Sequence, residues 1–228
     1  MNIRTVAFFC ALNFIVFQAN STAQQAHGME EALVTILRDR DTDHDDFQKA
    51  ANKLAYLLGA KVAQLLDTVE VHIETPLGPT TGKLLKHDIV LVPIVRSGLA
   101  LLHSFMRMFE GSRVGFVVVQ RDEETALPRL FYAKMPTLSK ETRIIILEPM
   151  IATGGSVCSA LKILQDMGVA MHRVIVVSVI CATEGLAVVR KQFPDVTLIY
   201  AAEDRDLNDK KWIVPGLGDF GDRYFGTE

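Results

Sequence analysis

The chain has 228 residues, 49% of them hydrophobic and 22% charged, with a formal net charge of -3 at pH 7. A chain of this size buries one sizeable core, so we interpret it as one α/β domain with small appendages. The slightly acidic balance argues against a nucleic-acid partner, because a protein that binds by neutralising phosphates needs an excess of Lys and Arg.

The N-terminal residues present two alternatives. An apolar stretch from Val6 to Phe17, preceded by Arg4 and followed by Ser21-Thr22-Ala23, has the form of a secretory signal peptide and is too short to span a bilayer as a helix. The motifs described below indicate instead a phosphorylated substrate of the kind held inside the cell. We therefore predict an N-terminal extension over residues 1–28, a domain over residues 29–228, a cytoplasmic location and no membrane partner.

The next segments predict two helices and a projecting β-arm. Helical periodicity covers Met29 to about Asp39 and, after an acidic helix start, Thr42 to about Leu66. Residues 68–75 alternate apolar and polar side chains, and the prolines and glycines behind them indicate an arm over residues 68–83. A monomer does not readily cover the apolar side chains of such an arm. We therefore expect a homodimer or homotetramer with the arm at the interface.

Short apolar runs, alternating with helical segments, predict an open, twisted, mainly parallel five-stranded sheet with helices on both faces. The five runs are Ile89–Val95, Val114–Val119, Ile144–Leu147, Val174–Ile180 and Val196–Tyr200. Pro93 lies near the end of the first run and indicates an edge strand or a strand terminus, because proline cannot donate to a sheet ladder.

The residues after the third run indicate a phosphate site beside a carboxylate. Glu148 follows the strand, and Gly154-Gly155 precedes a helix whose first amides can cradle an anion, with the hydroxyls of Thr153 and Ser156 as further donors. A carboxylate accepts hydrogen bonds from vicinal hydroxyls, so the combination favours a sugar with a 5′-phosphate. The alternative is a strand-turn-helix whose glycines serve packing only. Neither a Walker lysine nor a dinucleotide-binding glycine motif is present.

Two arginines also follow predicted strands. Arg96 comes directly after the first run, at the end of the sheet where open α/β folds bind ligands. Arg121 follows the second run, with the acids of residues 122–124, and opens a connection to Pro136 that is apolar enough to be a lid or a hairpin flap. The alternatives are a solvent-exposed ion pair for Arg96 and an ordinary solvated surface for the acids.

The cysteines and histidines do not indicate a metal site. Cys10, Cys158 and Cys181 are odd in number, widely spaced and set in apolar surroundings, which is typical of buried thiols in a reducing compartment. The six histidines are scattered without ligand spacing.

The C-terminal tail, from Trp212 to Thr227, combines four glycines and a proline with several apolar residues. The glycines argue against regular structure, whereas the apolar residues imply burial. A buried irregular backbone must satisfy its own N–H and C=O groups, and a flat heterocycle with alternating donor and acceptor edges is one partner that does so. The alternative is a tail that merely packs on the sheet.

Four motifs resemble the uracil phosphoribosyltransferases, a branch of the type I phosphoribosyltransferases. They are Val-Pro-Ile-Val-Arg-Ser-Gly at 92–98, Arg-x-Glu-Glu-Thr at 121–125, Pro-Met-x-Ala-Thr-Gly-Gly-Ser at 149–156 and Pro-Gly-Leu-Gly-Asp-Phe-Gly-Asp-Arg-Tyr-Phe-Gly-Thr at 215–227. The resemblance implies conversion of uracil and 5-phosphoribosyl 1-diphosphate (PRPP) to UMP and pyrophosphate, with Mg²⁺ on the diphosphate. Some members of the family are activated by GTP, so GTP is a further expected ligand. Glu148 and Trp212 replace the aspartate and tyrosine usual in the family.

The resemblance also implies roles for individual residues. Arg96 and Arg121 would bind the diphosphate, and together with Asp219 they form the expected catalytic set, with no direct metal ligand except an optional contact from Asp219. The implied PRPP-binding residues are Arg96, Arg121, Glu148, Pro149, Met150, Ile151, Ala152, Thr153, Gly154, Gly155, Ser156 and Asp219. The implied uracil-binding residues, which form a C-terminal hood, are Ile213, Gly218, Asp219 and Phe220.

Three other functions remain as alternatives to uracil phosphoribosyl transfer. The first is transfer to another base, such as orotate or hypoxanthine, against which the tail motif argues. The second is a PRPP-sensing regulator that binds RNA, which would need a basic face. The third is a homologue that has lost catalysis, and Glu148 is the site change that favours it.

Overall fold

The computed structural model describes residues 28–121 and 128–227. Residues 1–27 of the expected extension, which include Cys10, and the acids of residues 122–124 lie outside these ranges. The helices are α1 (Met29–Arg38), α2 (His44–Ala63), α3 (Leu99–Met108), α4 (Gly155–Asp166), α5 (Thr183–Gln192) and α6 (Phe220–Phe225). The strands are β1 (Thr68–Thr75), β2 (Gly78–Leu85), β3 (Ile89–Val95), β4 (Arg113–Val114), β5 (Phe116–Arg121), β6 (Pro128–Lys134), β7 (Arg143–Leu147), β8 (Met150–Ile151), β9 (Val174–Ala182), β10 (Thr197–Asp204), β11 (Asp206–Leu207) and β12 (Ile213–Val214). In the described part of the chain, no helix combines the length and apolar character needed to cross a membrane.

The central sheet has the strand order β10-β9-β7-β3-β5-β6. The first five strands are parallel, and they are the five that the apolar runs predict. Strand β6 adds an antiparallel edge by forming a hairpin with β5, which was one of the structures expected for this connection. The predicted α/β class and mainly parallel sheet are therefore confirmed.

The edge hypothesis for Pro93 is wrong, because β3 lies between β7 and β5 inside the sheet. On the β5 side, β3 pairs with β4 at Val90 and Leu91 and with β5 only from Ile94 onward. The carbonyl oxygen of Leu91 faces this side, where it accepts a hydrogen bond from the amide of Gly115. Pro93 lies two residues further along β3, so its backbone nitrogen faces the same side. The proline therefore falls at the gap between β4 and β5, where a missing N–H breaks no ladder bond.

Apolar side chains cover both faces of the sheet. On β7, Ile145 and Leu147 face the cluster under α1, α2 and α3, whereas Ile144 and Ile146 face the cluster under α4 and α5. All four are essentially fully buried. Each such side chain contributes roughly 1.5–3 kcal/mol through removal from water, and this double-sided burial makes β7 the centre of the fold.

Strands β1 and β2 form the predicted arm, an antiparallel ladder separate from the central sheet. Most of its apolar side chains are exposed, with Leu77 at the turn 99% accessible. Both ends of the arm meet the central sheet at the amino end of β7. The Lys86 amide donates to the Asp67 carbonyl, and the Asp67 side chain pairs with Arg143, the first residue of β7.

The tail contains more regular secondary structure than its four glycines indicated. Residues Phe220–Phe225 form α6, and β12 pairs with β11. The helix forms because Asp219 caps its start, accepting the amide of Asp222 at 2.9 Å, and Gly226 ends it in the left-handed conformation at φ 66°. Two of the four glycines therefore serve the helix, one inside it and one as its terminator.

Helices α1 and α2 hold the tail in place. The Arg38 guanidinium contacts Asp204 at 2.6 Å and the Gly216 carbonyl at 2.9 Å, while Asp204 accepts the Gly216 amide at 2.8 Å. Further along, Phe220 packs edge-on against Phe47 with ring centroids 5.2 Å apart. The two N-terminal helices thus position the segment expected to read the base.

Candidate active site

A cavity of about 560 Å³ opens at the carboxyl ends of β3 and β7 and beneath the tail. Strand order reverses between β3 and β7, since the chain proceeds from β3 to β5 on one side and from β7 to β9 on the other. Such a switch point is where open α/β sheets bind ligands. The lining residues are Ile94, Val95, Arg96, Ser97, Val119, Glu148, Met150, Ala152, Ser156, Lys211, Trp212, Ile213, Gly218, Asp219, Phe220 and Gly221.

Glu148 is a buried residue that lines this cavity, with 7% of its surface accessible. Its amide donates to the Val177 carbonyl at 3.0 Å, which continues the β7–β9 ladder by one residue. The Ser97 hydroxyl donates to Oε1 of Glu148 at 3.1 Å. The two strand ends flanking the switch point are therefore joined by a hydrogen bond between two residues that both line the cavity.

The glycine loop before α4 packs directly against α5. Gly154 adopts φ 80°, and a Cβ there would lie 2.8 Å from the Gly185 carbonyl oxygen. A Cβ on Gly185 would lie 2.2 Å from the carbonyl oxygen of Ala152. Both contacts require glycine, so α5 supports the loop that presents the amides of the α4 N-terminus. Gly185 belongs to no local motif, and sequence analysis missed it.

Only part of this loop reaches the cavity. Met150, Ala152 and Ser156 line it, whereas Pro149, Ile151, Thr153, Gly154 and Gly155 do not. The Pro149 carbonyl accepts the amides of two β9 residues, and Ile151 is buried in the core under α4 and α5. These two residues hold the loop to the sheet.

Arg96 lines the cavity and turns its guanidinium to the tail. Its Nη2 donates to Asp222 at 2.5 Å and its Nη1 donates to the Thr227 hydroxyl at 2.8 Å. The Thr227 hydroxyl in turn donates to the same Asp222 oxygen at 2.7 Å. The Thr227 hydroxyl and the Arg96 guanidinium hold the pKa of the Asp222 carboxyl below its ordinary value, so this carboxylate is ionised at neutral pH.

Arg121 is the last residue of β5, paired across the hairpin with Pro128. Its side chain lies outside the described part of the structure, as do residues 122–127. The contact expected between Arg121 and the diphosphate therefore stays a prediction.

The tail brings all four predicted base-binding residues to the cavity: Ile213, Gly218, Asp219 and Phe220. The structure adds Lys211, whose backbone is left-handed at φ 61°, and Gly221, neither of which the motifs singled out as site residues. No sequence pattern marks Lys211, because it reaches the cavity only through the fold of the tail. Within residues 28–121 and 128–227, no three His, Cys, Asp or Glu side chains cluster as a metal centre.

Comparison with known proteins agrees with this geometry. The family model for uracil phosphoribosyltransferase matches residues 24–227. The chain is 40% identical to the uracil phosphoribosyltransferase of Alkaliphilus metalliredigens and 39% identical to that of Halalkalibacterium halodurans, each over 89% of this chain and 96% of the relative. The solved structure of the AQ2163 protein from Aquifex aeolicus superposes with a TM-score of 0.82 at 31% identity, covering 89% of this chain and 97% of that one. The chain therefore belongs to the uracil phosphoribosyltransferase family.

Proposed function

We propose that this chain transfers the phosphoribosyl group of PRPP to uracil, giving UMP and pyrophosphate in cytoplasmic pyrimidine salvage. Beyond family membership, one observation carries the proposal. Ser156 at the start of α4, Glu148, Arg96 and the tail residues come from four separate segments and line the same cavity. That combination supplies a phosphate site, a ribose site, a diphosphate site and a base site at a single switch point.

In the proposed reaction, N1 of uracil attacks the anomeric carbon of the ribose as the C–O bond to the diphosphate breaks. The bonding electron pair leaves with pyrophosphate, the N1 proton is lost, and the configuration inverts through an oxocarbenium-like transition state. Arg96 and Arg121 stabilise charge on the leaving group, and Glu148 accepts hydrogen bonds from the ribose hydroxyls. Ser156 and the first amides of α4 hold the 5′-phosphate. The protein contributes positioning and electrostatic stabilisation.

The donor set of the cavity fits Mg²⁺. Glu148 and Asp219 both line the cavity, and Mg²⁺ is usually bound through one or two carboxylates together with substrate phosphates. We place the ion on the diphosphate, with Asp219 as the optional protein contact. When bound, it would neutralise charge that develops on the departing pyrophosphate.

The direct test is formation of UMP from radiolabelled uracil and PRPP, measured with and without GTP. A chain that has lost catalysis would bind PRPP without forming UMP. Binding can be followed separately, because Trp212 is the single tryptophan and lines the cavity. Orotate and hypoxanthine serve as competing acceptors, and UMP formation exceeding transfer to either base is the expected result.

Glu148→Ala is expected to weaken PRPP binding tenfold or more. The substitution removes charge-assisted hydrogen bonds to the ribose hydroxyls, each worth about 1.5–3 kcal/mol. Titration of Trp212 fluorescence with PRPP measures the affinity, and Glu148→Asp is the matched control because it keeps the charge and restores the usual residue of the family. An unchanged affinity in Glu148→Ala would refute the ribose role.

The exposed arm supports assembly as a homodimer or homotetramer. Val69, Ile73, Leu84 and Leu85 are each 44–61% accessible, and Leu77 is almost fully so. Burying such a row against a second copy removes apolar area from water. Sedimentation at micromolar concentration is expected to show an oligomer, and Leu84→Lys is expected to dissociate it. A wild-type monomer under these conditions would contradict the proposal.

A further inference from the structure

Three residues from two distant segments of the chain form a closed triangle of hydrogen bonds beside the cavity, which we call the arginine clamp: Arg96, Asp222 and Thr227. Its sides are Arg96 Nη2 to Asp222 Oδ1, Arg96 Nη1 to Thr227 Oγ1, and Thr227 Oγ1 to Asp222 Oδ1, at 2.5, 2.8 and 2.7 Å. We propose that Asp222 and Thr227 are positioning residues that hold the Arg96 guanidinium in place for the diphosphate of PRPP. This inference rests on the diphosphate role of Arg96 in the proposed function.

The clamp partners do not line the cavity that Arg96 lines. Asp222 instead lines a separate, smaller recess of about 270 Å³, with Arg40, His44 and Arg223. A guanidinium has five N–H donors, and the clamp uses one on Nη1 and one on Nη2, which leaves three. Asp222 therefore does not occupy the space into which the diphosphate would bind.

The short helix α6 holds the clamp partners at fixed positions. Gly226, at φ 66°, turns the chain so that the amides of Gly226 and Thr227 both donate to the Asp222 carbonyl, at 2.8 and 3.2 Å. A Cβ on Gly221 would lie 3.4 Å from Arg96 Nη2 and 3.2 Å from Asp219 Oδ1. Glycine at position 221 thus lets the guanidinium lie against the helix.

The same turn of α6 joins the clamp to the base-reading segment. Asp219 accepts the Asp222 amide at 2.9 Å, so a residue assigned to uracil and a residue that holds Arg96 are fixed to each other. A docked tail therefore orders Arg96 before PRPP arrives, and the arginine loses less conformational freedom when the diphosphate binds. Asp222 is ionised at neutral pH, which strengthens its hydrogen bond to the guanidinium.

The test compares Asp222→Asn and Thr227→Val with the wild type in steady-state kinetics and in PRPP titrations of Trp212 fluorescence. We expect the KM and the Kd for PRPP to rise about tenfold in Asp222→Asn and about threefold in Thr227→Val, with the KM for uracil unchanged. Asp209→Asn is the control, since it removes the same charge from an exposed position between β11 and β12 that does not line the cavity.

A double-mutant cycle separates positioning from general stability. If Asp222 acts through Arg96, then Asp222→Asn adds nothing to the PRPP affinity lost in Arg96→Lys. Additive losses would overturn the inference, as would a lower KM for PRPP in Asp222→Asn, which would make Asp222 a competitor of the diphosphate. If Asp222→Asn does not fold, the KM and Kd for PRPP of Thr227→Val decide whether the inference holds. A wild type that binds PRPP but forms no UMP refutes the proposed function and leaves the binding comparison intact.

Discussion

Cytosine is expected to be turned over on the order of 10⁴-fold less efficiently than uracil, measured as kcat/KM with saturating PRPP. Uracil presents an acceptor, a donor and an acceptor at O2, N3–H and O4, whereas cytosine presents an acceptor and a donor at N3 and N4. A site built for uracil must leave its own buried groups unpaired when cytosine enters, and that penalty gives the discrimination.

The tail has backbone groups suited to this selection. The cavity is lined by Ile213 and by residues 218–221. The amides of Phe220 and Gly221 belong to the first turn of α6, where a helix provides no intrahelical acceptor, and that of Asp222 is already taken by Asp219. Cytosine turnover within tenfold of that of uracil would show that the tail does not read the base.

Gly218→Val is expected to abolish uracil turnover while PRPP still binds. Gly218 lines the cavity at φ 82°, so a branched side chain there strains the backbone of the segment expected to bind the base. Gly168→Val is a matched control, because Gly168 has φ 83° at the end of α4, with open space around it and no place in the cavity. Equal uracil turnover in the two variants would show that the position of Gly218 at the cavity is not the cause.

Asp204→Asn is expected to lower the free energy of unfolding by about 3 kcal/mol, because it leaves the Arg38 guanidinium without its charged partner. Asp204 is 7% accessible and Arg38 is 26% accessible, so the value lies at the lower end for a buried pair. Urea unfolding measures the change. Asp166→Asn removes an exposed pair with Lys162 and should cost less than about 1 kcal/mol.

The Arg38–Asp204 ion pair also predicts how the free energy of unfolding depends on pH. Burial tends to raise the pKa of Asp204, but the hydrogen bonds from Arg38 and the Gly216 amide, together with the Arg38 charge, outweigh it and hold the pKa below its ordinary value. A carboxyl whose folded pKa is depressed stabilises the fold above its unfolded pKa of about 3.9 and loses that contribution as pH falls through the folded pKa. Asp204→Asn should therefore show a flatter stability profile than the wild type below about pH 4. Identical profiles would contradict this assignment.

Local patterns in the chain sufficed for the five parallel strands, the arm and the glycine loop. An apolar run buried on both faces, such as Ile144–Leu147, indicates its structure without knowledge of its neighbours. The same is true of Glu148 and of the α4 start, because the end of a strand and the start of a helix are set by adjacent residues. The tail motif likewise identified four cavity residues by resemblance alone.

Contacts between distant segments decided the rest. Pro93 lies inside the sheet because β4 and β5 leave a gap opposite it, and Gly185 is required because α5 packs on the carbonyl of Ala152. In the arginine clamp, Arg96 contacts Asp222 and Thr227, which follow it by 126 and 131 positions in the chain. Residue types and motifs alone indicated which residues are expected to bind phosphate, ribose and base. Tertiary packing alone determined how they are held, because such contacts depend on the spatial approach of segments that no local pattern relates.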